Sequence, residues 1–283
     1  MAIAETTLAR PRTFLVPWRP GLVLSAAWLL LVVVAAVTPS VFAPGDPLAI
    51  DTAARLLPPS LDHPFGTDRL GRDLFAQTVH GAGRTLPAAV LATLIGLGAG
   101  VTLGLLSGFL RGVVDLALMR LVDVLLAIPG LLLALMLVSV LGKGSTIDVA
   151  IAIGVTAIAG TARVMRAEVL RIAGSDFVEA ARIGGARRSR IVLRHVLPNA
   201  MGPVWVLTLL LFGMAILGVT TLSFLGFGTQ PPTPEWGALV SSGRDFLGSA
   251  WWLSLLPGAV VALTVLAANR VSLVFDKGGS EPW

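Results

Sequence analysis

The stretch Glu179–Asn199, EAARIGGARRSRIVLRHVLPN, decides how the rest of the chain is arranged. It is a long, strongly basic interruption late in an otherwise apolar sequence. The pair Gly184-Gly185 divides it into two short predicted helices, and Pro198 is expected to break the second before the next apolar run. Asp176 and Glu179 match a D-x-x-E capping box, which predicts Asp176 as the N-cap of the first helix. We therefore expect a small, capped helix that projects from two apolar spans.

The composition is typical of a membrane protein. Of the 283 residues, 55% are hydrophobic and 13% are charged, whereas soluble domains carry about 25% charged residues. The net charge of +5 does not indicate nucleic-acid binding, because Lys and Arg flank the apolar spans instead of forming one basic face. The chain has no Cys and three scattered His, so we expect no disulfide, metal site or bound cofactor.

Six apolar segments are long enough to be transmembrane helices, each of which needs roughly 20 residues. They are predicted at residues 21–42, 86–110, 121–141, 147–162, 201–224 and 251–275. The first is longer than the apolar part of a signal peptide, roughly 7–15 residues, so an uncleaved helix is expected. Residues 111–120 are interpreted as a link, and Pro129-Gly130 predicts a kink in the third span. Asp123 is expected near the membrane boundary, in water or paired with Arg120.

The polar stretch between the first two spans, residues 43–85, contains a predicted amphipathic helix. Thr67 or Asp68 would cap it, and the pairs Asp68–Arg72 and Arg69–Asp73 have i,i+4 spacing. One face would carry Leu70, Leu74, Thr78 and Val79. We expect this helix to lie on the membrane surface, with a gating or docking role as the alternative.

Glycine recurs at every fourth position of the second span, at Gly96, Gly100, Gly104 and Gly108. In lipid this spacing produces a flat groove into which another helix can pack closely. The spacing leaves open whether that neighbour belongs to this chain or to another.

The distribution of Lys and Arg predicts the orientation in the membrane. Fifteen flank the spans on the side of the N-terminus, and six lie on the other side. The positive-inside rule therefore places residues 1–20, residues 163–200 and residues 276–283 in the cytoplasm. Residues 43–85 become an extracytoplasmic loop, and residues 86–275 form a transmembrane core around the basic segment.

The basic segment resembles the EAA loop of ATP-binding-cassette importer permeases. The family pattern E-A-A-x(3)-G-x(9)-I-x-L-P fits Glu179 to Pro198, with His195 in place of Ile, as in the peptide and nickel branch. Two further motifs are similar to that branch: LSFLG followed by QPPTPEWG (residues 222–237), and FGTD followed by LGRD (residues 65–73). The latter contains Gly66, Asp68, Gly71, Arg72 and Asp73. The resemblance covers about residues 60–270 and is closest to the second permease subunit of dipeptide and oligopeptide importers. After Arg270 the sequence departs from the family pattern.

The resemblance implies a type I importer permease fold, all-α, with six transmembrane helices and both termini cytoplasmic. It implies a multi-pass protein of the inner membrane that imports peptides, with nickel or a glutathione-like solute as the alternative cargo. A non-transport scaffold or sensor is the more distant alternative. The implied partners are a second homologous permease, two ATPase subunits or one fused ATPase, an extracytoplasmic binding protein and membrane lipid.

The resemblance also implies that this chain is not an enzyme, since ATP and Mg²⁺ would be bound by the partner ATPases. A membrane-bound enzyme is disfavoured by the residues themselves, because no HExxH, intramembrane Asp pair or Ser–His arrangement is present. The residues implied to couple to the ATPase are Glu179, Ala180, Ala181, Arg182, Gly185, Arg187, His195, Leu197 and Pro198.

Overall fold

The structure, a computed structural model, describes residues 20–142 and 145–276, with side chains to residue 273. Every regular element in these ranges is helical. The α-helices are α1 Pro20–Val37, α2 Pro39–Phe42, α3 Leu74–Leu110, α4 Gly112–Ala127, α5 Gly130–Leu141, α6 Thr146–Ala173, α7 Asp176–Ile183, α8 Arg188–Ile191, α9 Leu197–Phe224, α10 Trp236–Ser242 and α11 Trp252–Asp276. A π-helical turn, Val192–Val196, joins α8 to α9, and a 3₁₀ turn, Arg244–Phe246, follows α10.

Five helical segments of the described chain are long and apolar enough to cross a membrane: α1, α3, α6, the continuous run Arg188–Phe224, and α11. The pair α4–α5 makes a sixth span if the two bent helices are counted together. The predicted all-α membrane fold is thus confirmed. The kink predicted at Pro129-Gly130 is also confirmed, since the axes of α4 and α5 differ by 94°. Ile128 has extended backbone angles, as expected for a residue before proline.

The predicted surface helix beginning at Thr67 or Asp68 is wrong. The helix begins at Leu74, where Asp73 is the N-cap and its carboxylate accepts a hydrogen bond from the Ala76 N–H at 2.8 Å. It then continues without a break into the second span as α3, 37 residues long. The face expected to lie on lipid is instead buried in the protein, since Leu74 is 1% exposed.

The two predicted i,i+4 ion pairs do not form, because residues 67–73 are not helical. Asp68 accepts hydrogen bonds from the backbone N–H groups of Leu70 and Arg72, at 2.7 and 2.9 Å. Asp73 contacts the imidazole of His63 at 2.8 Å. A short polar side chain that bonds to its own backbone favours a turn over a helix, and this explains the difference.

The third and fourth spans extend beyond their predicted limits. Residues 112–120, expected to be a link, form the first part of α4. Helix α6 continues to Ala173, so the predicted EAA loop, residues 163–200, begins with eleven residues of helix. Asp123 pairs with Arg163 on α6 at 2.7 Å instead of with Arg120. We refer to residues 174–199, which run from the end of α6 to the third residue of α9, as the EAA segment.

Pro198 does not break the helix that leads into α9. It lies in the first turn of α9, after the π-helical turn Val192–Val196. There the Leu197 N–H donates to the carbonyl of Val192, five residues earlier. The wider turn accommodates a proline, which has no N–H to donate and whose ring would clash within regular α-helix.

The core lies where α3, α6 and α9 pack against one another, with α11 against α9 and α1 against α3 and α11. Fully buried side chains of the main cluster include Ala89, Ala134, Val149 and Ile216. A second cluster lies at the EAA end of the bundle, around Met165 and Val196. A third lies at the opposite end, where Leu74 packs with residues of the 225–253 segment. The bundle therefore has two ends, each with its own packed loops.

Candidate functional site

The glycine repeat of α3 lies against α6 of the same chain. A methyl group added at Gly96, Gly100, Gly104 or Gly108 would come within 2.5–2.8 Å of atoms of α6. At Gly104 it would lie 2.5 Å from the carbonyl oxygen of Ala162 and 2.7 Å from Cβ of Met165. At Gly98, on the other face, it would meet nothing within 4 Å. The backbones of α3 and α6 are thus in direct contact along the whole repeat, and α6 leads straight into the EAA segment.

The short helix α7 begins differently from the capping-box prediction. Its N-cap is Ser175, Asp176 is the first helical residue, and neither Ser175 nor Asp176 caps the helix with its side chain. The Ser175 hydroxyl donates to the carbonyl of Ile172 at 2.6 Å instead. Glu179 lies 3.7 Å from Arg182 and does not reach back to the N-cap. The predicted capping box is therefore wrong, because the serine one residue earlier takes the N-cap position.

Helix α7 is anchored on one face and open on the other. Val178 is fully buried among Met165, Val169 and Val196, which belong to α6 and to the π-helical turn. On the open face Phe177 is 48% exposed and nearby Ile183 is 80% exposed. These exposed apolar side chains leave the side of α7 that faces away from α6 open to contact with another protein.

The glycine pair ends α7 as predicted. Gly184 is the C-cap, and Gly185 has a φ of +76°, a conformation that side chains other than glycine rarely adopt. The Ala186 N–H donates to the carbonyl of Ala181 at 3.1 Å, which fixes the turn. A side chain added at Gly185 would point into open space.

The residues expected to couple to an ATPase fall into two groups. Those from Glu179 to Arg187 lie on α7 and the turn after it, and all but Ala181 are exposed. The second group lies later in the chain. His195 is in the π-helical turn, and Leu197 and Pro198 are the first two residues of α9. The structure therefore places the first group on the projecting surface and the second at the joint with a membrane span.

An ion pair connects the corner between α3 and α4 to α6, close to the EAA segment. Arg166 donates two hydrogen bonds to the carboxylate of Asp115, both at 2.7 Å. Asp115 also accepts a hydrogen bond from the hydroxyl of Ser107. This pair was not predicted, because the two residues lie 51 positions apart and neither belongs to a recognisable motif.

At the opposite end of the bundle, the FGTD–LGRD motif forms a tight loop. The buried Thr67 hydroxyl accepts from the Leu57 N–H at 2.8 Å and donates to the carbonyl of Ala54. Gly71 has a φ of +78°, and a methyl group there would overlap the carbonyl of Asp51 at 1.7 Å. The two glycines of the motif, Gly66 and Gly71, are thus required by backbone conformation and close approach.

A buried carboxylate joins the two parts of the motif at residues 222–237. Glu235 is 0% exposed and accepts hydrogen bonds from the Ser223 hydroxyl and from the Thr229 N–H. The next residue, Trp236, donates from its indole N–H to the carbonyl of Thr78 on α3 at 2.9 Å. The QPPTPEWG loop is therefore held against α3 by a hydrogen bond. The spacing of residues in the motif did not predict this contact.

A cavity of about 260 Å³ lies between these two motifs. Asp68, Arg72 and the run Pro231–Pro234 contribute to its walls. The Nε of Arg72 is buried and has no hydrogen-bond partner among the residues that the structure describes. Within the same described ranges, no group of His, Asp and Glu is arranged to hold a metal ion.

Comparison with known proteins identifies the family. Residues 100–278 match the family of binding-protein-dependent transport system inner membrane components. A putative peptide transport system permease of Brucella suis is 40% identical over 96% of this chain and 88% of its own length. The di/tripeptide transport system permease DppC of Pseudomonas aeruginosa is 41% identical over 86% of this chain and 82% of its own. A glutathione transport system permease, GsiD of Pectobacterium atrosepticum, is 39% identical over 75% and 70%.

Solved structures agree on the fold. The chain is similar to that of an amino acid ABC transporter crystallised with histidines, with a TM-score of 0.57, 17% identity and coverage of 72% of this chain and 94% of the other. It is also similar to a chain of the inward-facing MetNI methionine ABC transporter, with a TM-score of 0.56, 18% identity and coverage of 70% and 96%. The chain belongs to the family of binding-protein-dependent transport system inner membrane components, the membrane-spanning permeases of ABC importers.

Proposed function

We propose that this chain is one of two permease subunits of an ATP-driven importer for dipeptides and oligopeptides. It would form half of the translocation path and couple to a cytoplasmic ATPase through its EAA segment. Membership of the permease family supports the transport role. The peptide and di/tripeptide permeases that it resembles over most of its length support the choice of cargo.

The main support for the coupling role is that α7 has one side buried in the protein and another side exposed. The buried Val178 joins α7 to side chains of α6 and of the turn before α9. The open face, with Phe177 and Ile183, is free to bind a partner. A force applied to the open face would be transmitted to two membrane spans through packed side chains, which transmit strain because interiors are close-packed. ATP-driven closure of the ATPase would thus reorient the spans as rigid bodies.

The proposed orientation places the EAA segment and both termini in the cytoplasm. The excess of Lys and Arg on that side supports this orientation. The FGTD–LGRD and QPPTPEWG loops would then face outward, where an extracytoplasmic binding protein delivers the cargo. ATP and Mg²⁺ would bind to two ATPase subunits, or to one fused ATPase, and a second homologous permease would complete the path.

Reconstitution tests the proposed function directly. The chain is co-expressed with a candidate second permease, ATPase subunits and binding protein from the same organism, and the purified complex is placed in proteoliposomes. We expect ATP-dependent accumulation of a radiolabelled dipeptide, competed by unlabelled dipeptides and tripeptides. Competition by glutathione or a nickel chelate, with none by peptides, would reassign the cargo. Absence of ATP-dependent uptake of any of these solutes would contradict the import role.

A further inference from the structure

Two adjoining cavities lie beside the EAA segment, at the end of α3. The larger, about 550 Å³, lies among the α3–α4 corner, α7 and α8. The smaller, about 290 Å³, lies between the last two turns of α3 and the start of the run Arg188–Phe224. Both are lined by Phe109, Leu110 and Arg188, so they form one continuous surface.

The larger cavity is basic. Its lining includes Arg111, Arg182 and Arg188, and no acidic residue. The side chains of Arg111 and Arg188 make no hydrogen bond or ion pair within residues 20–142 and 145–273. Arg182 has only an exposed contact with Glu179 at 3.7 Å, and pairs of this kind hold weakly.

The nearest carboxylate on α4 does not neutralise this cavity. Asp115 is already engaged by two hydrogen bonds from Arg166 and one from Ser107. Among the residues that the structure describes, Arg111 and Arg188 therefore have no carboxylate partner, and Arg182 has only its exposed contact with Glu179. Three guanidinium groups around one space are suited to a phosphate group, whose oxygens accept several charge-assisted hydrogen bonds.

The smaller cavity is apolar and opens to the outside of the bundle. Its walls include Leu105, Leu106, Phe109, Leu110, Val192 and Leu193. Several of these side chains are uncovered in the structure, with Leu106 42%, Leu110 51% and Leu193 64% exposed. A groove of this kind fits a hydrocarbon chain, whereas a free phosphate or a nucleotide would gain nothing from it.

We propose that the two cavities together hold one anionic glycerophospholipid. Its phosphate lies among Arg111, Arg182 and Arg188, and one acyl chain follows the groove beside Leu106 and Leu193. The placement at the inner surface of the membrane rests on the orientation proposed above for the EAA segment. Basic pockets at the cytoplasmic ends of transmembrane helices are suited to such headgroups. The lipid would support the EAA segment from the membrane side, leaving Phe177 and Ile183 free for the ATPase.

Native mass spectrometry of the purified complex tests the proposal. The complex is reconstituted in nanodiscs of phosphatidylcholine with a limiting fraction of phosphatidylglycerol, released into the gas phase, and scored for retained phosphatidylglycerol. We expect the double variant Arg111→Gln/Arg188→Gln to retain about tenfold less of this lipid, or lower still, since each basic group near a membrane contributes severalfold in affinity. Arg188→Gln alone removes one positive charge from the cavities. Arg190→Gln also removes one positive charge, from the same short helix, without lining either cavity. It should retain phosphatidylglycerol as the unaltered chain does.

Two further experiments distinguish the proposed lipid from other possible occupants of the cavities. Filling the groove with Leu106→Trp should lower lipid retention, while inorganic phosphate at millimolar concentration should leave retention unchanged. Equal retention by the double variant and by Arg190→Gln would overturn the proposal, and so would competition by inorganic phosphate. Loss of the co-purifying ATPase from the double variant, with lipid retention unchanged, would assign the arginines to the ATPase interface instead. Lipid retention is scored without transport, so a failure of peptide import would be seen separately.

Discussion

Arg166 of α6 and Asp115 of α4 form a bidentate ion pair, in which both N···O distances are 2.7 Å. The side chains are partly covered, 34% and 19% exposed respectively. The pair fixes the corner after α3 to the helix that leads into the EAA segment. It is therefore placed to hold α4 and α6 together beside the EAA segment.

Replacing Asp115 with Asn should destabilise the chain measurably. The guanidinium of Arg166 would lose its counterion, and hydrogen bonds to charged groups contribute about 1.5–3 kcal/mol. Asp123→Asn is the matched control, because its pair with Arg163 is more exposed, at 51% and 54%, and should contribute at most about 1 kcal/mol. Thermal unfolding of the purified complex in detergent measures both. A larger loss for Asp123→Asn than for Asp115→Asn would contradict this ranking.

Gly104→Ala should separate α3 from α6. The added methyl group would lie 2.5 Å from a backbone carbonyl of α6, which cannot move alone, so the helices must shift. Overpacking of this kind costs about 1–3 kcal/mol. Gly98→Ala adds the same group in open space and should be neutral or slightly stabilising, since Ala favours helix over Gly. Thermal unfolding in detergent distinguishes the two, and equal unfolding temperatures would show that the contact does not matter.

Glu235→Ala should loosen the QPPTPEWG loop. The buried Ser223 hydroxyl and the Thr229 N–H would each lose their acceptor, and each buried unpaired group costs about 1–3 kcal/mol. Asp245→Ala, which removes a side chain 77% exposed from the same segment, serves as the control. Limited proteolysis of the loop is the measurement. Faster cleavage in Glu235→Ala alone is expected, and unchanged cleavage would show that the carboxylate does not hold the loop.

Gly185→Glu should abolish binding of the ATPase without preventing membrane insertion. The residue is exposed next to the open face of α7 and has positive φ, so the substitution both strains the turn and places a charge at the surface. Gly226→Glu is a matched control at the other end, also with positive φ and open space around it. Co-purification of the ATPase is the readout. A complex that stays intact in Gly185→Glu would count against the coupling role of this segment.

The orientation can be tested by labelling, since the chain has no cysteine of its own. Leu61 and Ile183 lie at opposite ends of the bundle and are 101% and 80% exposed. In intact cells, a membrane-impermeant maleimide should label Leu61→Cys and spare Ile183→Cys until the membrane is permeabilised. The reverse pattern would place the EAA segment outside the cell and would contradict the proposed coupling.

The positions of the spans and the kink at Pro129 could be predicted from the sequence, because hydropathy and proline act locally. The end of α7 at Gly184-Gly185 was predictable for the same reason. Local reasoning failed where two signals competed over a few residues. Asp68 bonds to its own turn and so does not start a helix. Pro198 is accommodated by the π-helical turn and does not end one.

The sequence by itself determined that this chain is a helical membrane protein with a basic EAA segment between two spans. Composition and short motifs are enough for that, because the lipid environment demands apolar helices and because the EAA pattern lies within about twenty residues. Only the tertiary structure decided which partner each residue finds. The glycines of α3 meet α6, Arg166 meets Asp115, and Glu235 meets Ser223, because the packing of whole helices sets these distances and separation along the chain does not reveal them.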